Sequence, residues 1–278
     1  MSHIIQLKSR IKTVESIQKT THAMRLTSMS THARLIKQKS ALLLYSQELE
    51  QAITNIRNMH APSNEIPQTC THYTNTLIII LGSQKGLCGS FNTRLFRYYK
   101  EIIAKKYHGS CIVIGKKIID LFKQNQSPIL HQYTNITPAN IFGLVRELCQ
   151  HILGKSQYAH IIVVSNHPQS FFNQKPSVAH ITPPCTNLPE FTANPELKGL
   201  CDPNPKIVLE YIESMYLQAQ LETLFLNSLV AEYSARFLSM DSSTTNAEKL
   251  LQGMRRDYNK LRQAAITNEL LDLMGGMF

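Results

Sequence analysis

Apolar residues at the start of the chain fall three and four apart. Ile4, Leu7, Ile11 and Val14 keep a 3-4-3 spacing, which is a heptad seam. The frame then passes through Gln18, Thr21 and Arg25, so the seam turns polar. Leu35, Leu42 and Leu49 resume a seven-residue spacing, read as a shifted register. Residues 1–58 contain neither Gly nor Pro. The pattern predicts one long helix, with the polar patch Thr27-Ser28-Met29-Ser30-Thr31 as its candidate interruption. About 50 helical residues span roughly 75 Å. A helix of that length needs a partner to bury its seam.

The far end of the chain offers one. Leu217, Leu221, Leu224, Ser228, Ala231, Ala235 and Leu238 are spaced alternately four and three, and so are Ala247, Leu251, Met254, Tyr258, Leu261 and Ala265. A polar run, Asp241-Ser242-Ser243-Thr244-Thr245-Asn246, separates the two sets. The pattern predicts that residues 1–58 and 206–278 pair as a discontinuous, antiparallel coiled-coil shaft. Charge agrees with pairing. Residues 1–57 carry nine basic and three acidic side chains, and residues 206–278 seven and nine. Each exposed ion pair is worth only about 0.5 kcal/mol, so the seams supply most of the stability.

Between the ends the period changes. Apolar runs at 76–81, 111–114 and 159–165 have strand length, and helical patterns at 90–106, 116–125 and 138–154 separate them. This alternation predicts βαβ units with a mostly parallel sheet, a Rossmann-like α/β domain over 74–185. A Pro-rich connection over 186–205 leads back to the shaft. The predicted fold class is thus α/β with a long coiled coil.

Composition narrows the function classes. The 278 residues carry a net charge of +10, which suits an acidic partner such as nucleic acid, an anionic membrane or an acidic protein. No run of about 18 apolar residues exists, and charge at Lys8, Arg10 and Lys12 breaks any signal-peptide pattern. Six scattered cysteines without a C-x-x-C pair read as reduced core thiols. His22 and His32, on the basic helix, read as solvated.

Candidate chemistry is sparse. Gly82-Ser83-Gln84-Lys85-Gly86-Leu87-Cys88-Gly89-Ser90 stands between a strand and a helix, where a phosphate loop would sit. Its lysine precedes the second glycine, whereas a P-loop places it after. The preferred reading is a structural βα turn around Gly86, Cys88 and Gly89. A nucleotide-binding enzyme with a coiled-coil appendage is the alternative. Cys70-x-His72 and Cys149-x-His151 each offer two metal ligands with nothing nearby in sequence to complete a set of four. Glu101, Asp120 and Glu147 fall in helical patterns and give general acid–base chemistry little support. No catalytic residue, cofactor or metal is expected. A basic coiled coil on nucleic acid is a further alternative, but no aromatic residue interleaves the N-terminal basic stretch before Tyr45.

Three motifs then carry a family resemblance. Arg10-Ile11-Lys12-Thr13-Val14 and Gln18-Lys19-Thr20-Thr21-His22-Ala23-Met24-Arg25 resemble the N-terminal signature of the γ subunit of F-type ATP synthases. Gly86-Leu87-Cys88-Gly89-x-x-Asn92 resembles that family's central motif. The third stretch is the most specific: Glu232, Ala235-Arg236, Met240, Thr244-x-Asn246-Ala247, Tyr258-Asn259-Lys260 and Arg262-Gln263-Ala264-Ala265-Ile266-Thr267-x-Glu269-Leu270. The resemblance implies the central-stalk rotor of a proton-driven enzyme. One copy would turn within a ring of three α and three β subunits, above the ε subunit and the membrane c-ring, and would catalyse nothing by itself. It implies that Met24, Arg236, Gln263, Thr267 and Glu269 couple rotation to β, with Arg262 joining the contact. It implies a peripheral place on the cytoplasmic face of a bacterial inner membrane ahead of a mitochondrial one, and no nucleic-acid partner. The chain departs from the family pattern at Thr27–Thr31, at His22 and Asp241 where Lys is usual, at Thr245 where Asp is usual, and at the bulky tip Gly275-Gly276-Met277-Phe278.

Overall fold

The computed structural model describes residues 2–60, 75–155, 158–181 and 205–275. They form two compact units: residues 1–30 with 236–278, and residues 31–235. Helix α1 (Ser2–His60) and helix α6 (Pro205–Gly275) contribute to both. Neither is broken, so the polar patch Thr27–Thr31 does not interrupt α1. Its hydroxyls satisfy themselves on the preceding turn: Ser28 Oγ and Thr27 Oγ1 both donate to the Met24 carbonyl, at 2.6 and 3.1 Å.

The first unit is an antiparallel helix pair. On α1, positions 4, 7, 11, 14, 18, 21, 25 and 28 are half-buried or buried, while most of their neighbours are exposed. On α6 the matching positions are 240, 244, 247, 251, 254, 258, 261 and 265. The sense is set by cross-helix pairs in which residue numbers rise on one helix as they fall on the other: Glu15 with Arg255, Gln18 with Glu248, Thr21 with Thr244 and Arg25 with Asp241.

The second unit holds a five-stranded sheet in the order β3-β2-β1-β4-β5. Its strands are β1 (Asn75–Leu81), β2 (Gly109–Ile114), β3 (His131–Tyr133), β4 (Tyr158–Pro168) and β5 (Gln174–Ile181). β1 to β4 are parallel, and β5 runs antiparallel to β4. Helices α2 (Phe91–Tyr98), α3 (Ala104–Lys106), α4 (Lys116–Gln124) and α5 (Ile141–Lys155) connect them. The continuous helix expected over 90–106 contains a π-helical turn at Tyr99–Ile103. Tyr99 and Ile103 are both buried.

Alternate residues of β1 enter different cores. Ile78 and Ile80 face α2 and α4, where Phe122 stacks edge-on against Phe96 at 5.0 Å. Leu77, Ile79 and Leu81 face the layer built from α5, α6 and Leu35 of α1. Burial on both faces explains the unbroken apolar run that marks this strand in the sequence. Strands β3 and β5 escape the sequence reading for the opposite reason. Each is an edge strand with a single neighbour, and β5 even carries Pro176, which a central strand would not accept.

Two features of the heptads differ from expectation. Leu35, Leu42 and Leu49 are not in a shifted register. The shielded positions 32, 35, 39, 42, 46, 49, 53 and 56 continue the count that begins at Ile4. Polar residues at 18, 21, 25, 28 and 32 hide that continuity from a hydrophobicity reading. On α6, the stripe beginning at Leu217 is not mainly a seam for α1. Leu217 and Leu221 join the sheet core, the Ser228 hydroxyl lies 3.4 Å from the Leu81 carbonyl, and Ala231 and Ala235 pack on Cys88 and Phe91. A second stripe on α6 meets α1, where Leu209 clusters with Ile53 and Ile56, joined by Ile212 and Tyr216. A helix gripped on two sides shows two overlapping heptad frames. The compact units divide α1 after Ser30 and α6 after Ala235. The connection over 186–205 lies outside the described residues, apart from Pro205.

Burial of polar groups in this second unit has a measurable consequence. Glu222 is 6% exposed, and burial raises its carboxyl above the usual value, partly offset by the Gln218 amide at 2.7 Å and the Arg146 charge. The folded state then keeps this proton to a higher pH than the unfolded chain does. Stability falls as pH rises through that window. Glu222→Gln should therefore melt above the parent protein at neutral pH and lose that advantage below the ordinary carboxylate value of 4.5. Melting curves of both proteins across that range check it; parallel pH dependence would refute it.

Candidate functional site: the helix pair and the turn after β1

The middle of the helix pair is polar, and its polar groups answer one another. The Arg25 guanidinium donates to Asp241 at 2.6 Å, with both side chains partly exposed. Thr244, 4% exposed, donates to the Thr21 hydroxyl at 2.9 Å and is also 2.8 Å from the Met240 carbonyl. Gln18 donates to Glu248 at 3.1 Å, and Arg255 to Glu15 at 2.7 Å. Such exposed pairs add little stability, about 0–1 kcal/mol each. Their geometric effect is larger, because polar groups at seam positions fix register. Sequence reading did not single out Thr21, Arg25, Asp241 or Thr244 as a set. The signal available for Thr21, Arg25 and Thr244 was their place in the frame, polar residues at positions that a hydrophobic seam would fill; Asp241 stands beside the seam.

The residues expected to couple rotation do not form one patch. Met24 is half-buried on α1, and Arg236 is 5% exposed on α6. Arg262, Gln263 and Thr267 are exposed on α6, and the Thr267 hydroxyl donates to the Gln263 carbonyl at 3.0 Å. Glu269 lies in the same helix, but its side chain is outside the described residues. The Arg25–Asp241 pair fixes the level of Met24. Gln263 lies some 22 residues further along α6, which is roughly 30 Å of helix rise. The arrangement presents different surfaces at separate heights.

The turn after β1 is closed upon itself. The Ser83 amide donates to Asn92 Oδ1 at 2.9 Å, and Asn92 Nδ2 reaches the Ser83 hydroxyl at 2.7 Å and Cys88 Sγ at 3.6 Å. The Ser83 hydroxyl donates to the Lys85 carbonyl, and Asn166 Nδ2 to the Phe91 carbonyl at 3.2 Å. Gly89 takes φ +58°, and the side chain of Leu87, at φ +62°, is turned outward and 58% exposed. Open α/β sheets bind ligands beyond the carboxyl ends of their strands, where the order reverses. Here that position, between β1 and β4, holds buried Ser83, Asn92 and Asn166. Gly86, Cys88 and Gly89 thus shape a turn whose first amides are already engaged, the Gly82 amide with the Ile114 carbonyl and the Ser83 amide with Asn92. A phosphate loop needs such amides free.

The thiols follow their surroundings. Cys88, Cys111 and Cys149 are free and buried, and burial pushes the Cys111 and Cys149 thiols up to about 12, far from the range of a reactive thiolate. Cys70, Cys185 and Cys201 lie outside the described residues, as does His72. Among the described residues no three His, Cys, Asp or Glu side chains gather as a metal site. No described helix is long and apolar enough to cross a membrane. His22 is exposed as expected, whereas His32 is 7% exposed and not solvated, because it occupies a seam position of α1 and meets Phe171 edge-on.

The sequence model of the ATP synthase family matches residues 3–278. The ATP synthase gamma chain of Fusobacterium nucleatum is 26% identical over 277 residues, covering 98% of this chain and 97% of that one. The ATP synthase gamma chain of Clostridium acetobutylicum is 29% identical over 277 residues, covering 98% and 96%. In fold, the chain resembles one from the Euglena gracilis mitochondrial ATP synthase, solved as OSCP/F1/c-ring, with a TM-score of 0.69 at 16% identity over 99% of this chain and 94% of that one. A chain from the Tetrahymena thermophila mitochondrial ATP synthase central stalk and c-ring gives a TM-score of 0.58 at 15% identity, over 80% and 98%. Long terminal helices around a mixed sheet, and a match that runs the length of the sequence, lead to one conclusion: the chain belongs to the ATP synthase family, among its gamma chains.

Proposed function

We propose that the chain is the central-stalk subunit of an ATP synthase and that it transmits rotation without catalysing a reaction itself. The observation that carries this reading is the family match over residues 3–278. The antiparallel helix pair of the first unit supports it. In the proposed complex, residues 1–58 and 206–278 form the shaft, and the α/β domain over 74–185 belongs to its foot. The partners are three α and three β subunits around the shaft, the ε subunit, and the c-ring of a membrane sector. Protons drive the turning, and the complex sits on the cytoplasmic face of a bacterial inner membrane. The closed turn after β1 offers no support to a nucleotide-binding enzyme.

The mechanism asks for differential contact, not bond chemistry. A rotor changes the affinity of a surrounding site only if its surface differs from one face to the next, since a partner shifts an equilibrium by its unequal affinity for the two states. The two helices of the first unit differ in charge, with five basic and one acidic residue in 1–30 against six and five in 236–278, and the pair also differs along its length. Exposed Arg262, Gln263 and Thr267 stand on one stretch of α6, and the Arg25–Asp241 pair stands at another level. A basic α1 also suits acidic surfaces on a surrounding ring.

Co-expression with candidate α and β subunits, followed by affinity capture and an ATPase assay, tests the proposal. A stoichiometric complex whose coupled ATP synthesis in vesicles requires this chain is expected. ATP hydrolysis by the purified chain alone, or folded chain that never joins α and β, would overturn it.

A further inference from the structure

A cleft of about 380 Å³ opens in the second unit between α1, the β4–β5 connection and α6. Its volume lies within the range of small-molecule sites. Ile36, Leu43, Phe171 and Val230 give it apolar walls, and His32 and Lys39 stand among them one heptad apart on α1.

Those two polar side chains are what set the cleft apart from a packing defect. His32 is 7% exposed, and its ring nitrogens have no hydrogen bond among the described residues; its one ring contact is the edge-on Phe171 at 5.0 Å. The ring nitrogens are not among the sealed, unpartnered polar atoms of the described residues, so they are open to whatever enters the cleft, and a guest that displaces water there has to supply their hydrogen bonds. Lys39 is half-buried and makes no ion pair among the described residues, although its charge is felt by His167, whose ring burial and this cation both hold below the usual imidazole value. Burial likewise keeps His32 neutral around neutral pH, where one ring nitrogen donates and the other accepts. The cleft therefore offers one cation, one neutral hydrogen-bonding ring, aliphatic and aromatic surface, and the hydroxyls of Ser40, Ser170 and Ser234, each already bonded to nearby backbone.

We propose that this cleft binds an amphipathic monocarboxylate, its head between Lys39 and His32 and its apolar body against Ile36, Leu43, Phe171 and Val230. A single negative charge matches the single unpaired cation. A dianion or a phosphate would find no second cation among the lining residues, and a purely apolar guest would leave both polar groups unanswered. A ligand here would touch both long helices and the connection beyond β4 at once.

Titration calorimetry on the full chain tests this with octanoate below its micellar concentration, against octanol and acetate. Octanoate should bind saturably, octanol roughly tenfold more weakly for want of the charge, and acetate not measurably for want of the tail. Lys39→Ala should weaken octanoate about tenfold and leave octanol unchanged. Leu43→Trp should block both by filling the cleft; Leu43 is 39% exposed, so the variant keeps its fold, which circular dichroism verifies. Octanol binding as tightly as octanoate, octanoate binding that survives Leu43→Trp, or no saturable heat at all would each overturn the assignment.

Discussion

Replacing Gly115 by alanine is expected to remove most of the folded, soluble chain. Gly115 links β2 to α4 with φ at +113°, a conformation that L side chains rarely adopt. A Cβ there would lie 2.6 Å from the Gly82 carbonyl oxygen and 2.9 Å from that of Ser83. These are backbone atoms of the turn after β1 and cannot rotate away. The same junction is held by the Gly115 amide on the Tyr133 carbonyl and the Gly82 amide on the Ile114 carbonyl, so the ends of β1, β2 and β3 would have to part. Backbone strain of about 1–3 kcal/mol and overpacking of a similar size add to roughly 4 kcal/mol. That is a large share of the 5–15 kcal/mol that holds an ordinary domain together. Soluble yield and urea midpoint read the effect, with Gly143→Ala as the control because nothing lies within 4 Å of its Cβ. A parental midpoint in Gly115→Ala would show that the turn yields.

Substituting alanine together at Gln263, Thr267 and Glu269 is expected to separate fold from function. Gln263 and Thr267 are exposed one turn apart on α6, where the Thr267 hydroxyl donates to the Gln263 carbonyl. Alanine is a better helix former than any of the three, so the isolated chain should melt where the parent does. In assembled complex, ATP synthesis should fall by about tenfold, equivalent to about 1.4 kcal/mol of lost differential contact. Melting curves of the chain and synthesis rates in energised vesicles measure the two effects separately. Full synthesis in the triple variant would place the coupling contact elsewhere on the helix pair.

Both predictions depend on features that differ in how far a sequence reveals them. The heptads of α1 and α6 were legible because an apolar residue every three or four positions has few other causes in a stretch without Gly or Pro. Strands β1, β2 and β4 were legible because burial on both faces leaves unbroken apolar runs. The same logic hides β3 and β5, whose edge positions demand no apolar face. It also hides the continuous heptad frame through Gln18, Thr21, Arg25 and Ser28. Hydrogen bonding satisfies those positions, across the pair for Gln18, Thr21 and Arg25 and on the Met24 carbonyl of the same helix for Ser28, and hydropathy does not register a hydrogen bond.

What the sequence determined alone was the alphabet of elements: two long helices, a parallel core of strands, and a turn rich in Gly with Cys88 inside it. The family motifs could be read from it as well, since they consist of residue identities in order. Only the tertiary structure decided which stripe of α6 meets the sheet and which meets α1, since both repeat with the same period. Only the structure closed the turn after β1 through Asn92 and Asn166, which lie 9 and 83 residues from Ser83 in the chain. And only the structure turned His32 from a presumed surface residue into a buried ring facing a cleft. The physical reason is common to all three. Periodicity records that a face is buried, whereas the partner that buries it comes from distant residues, and the chain holds no local record of them.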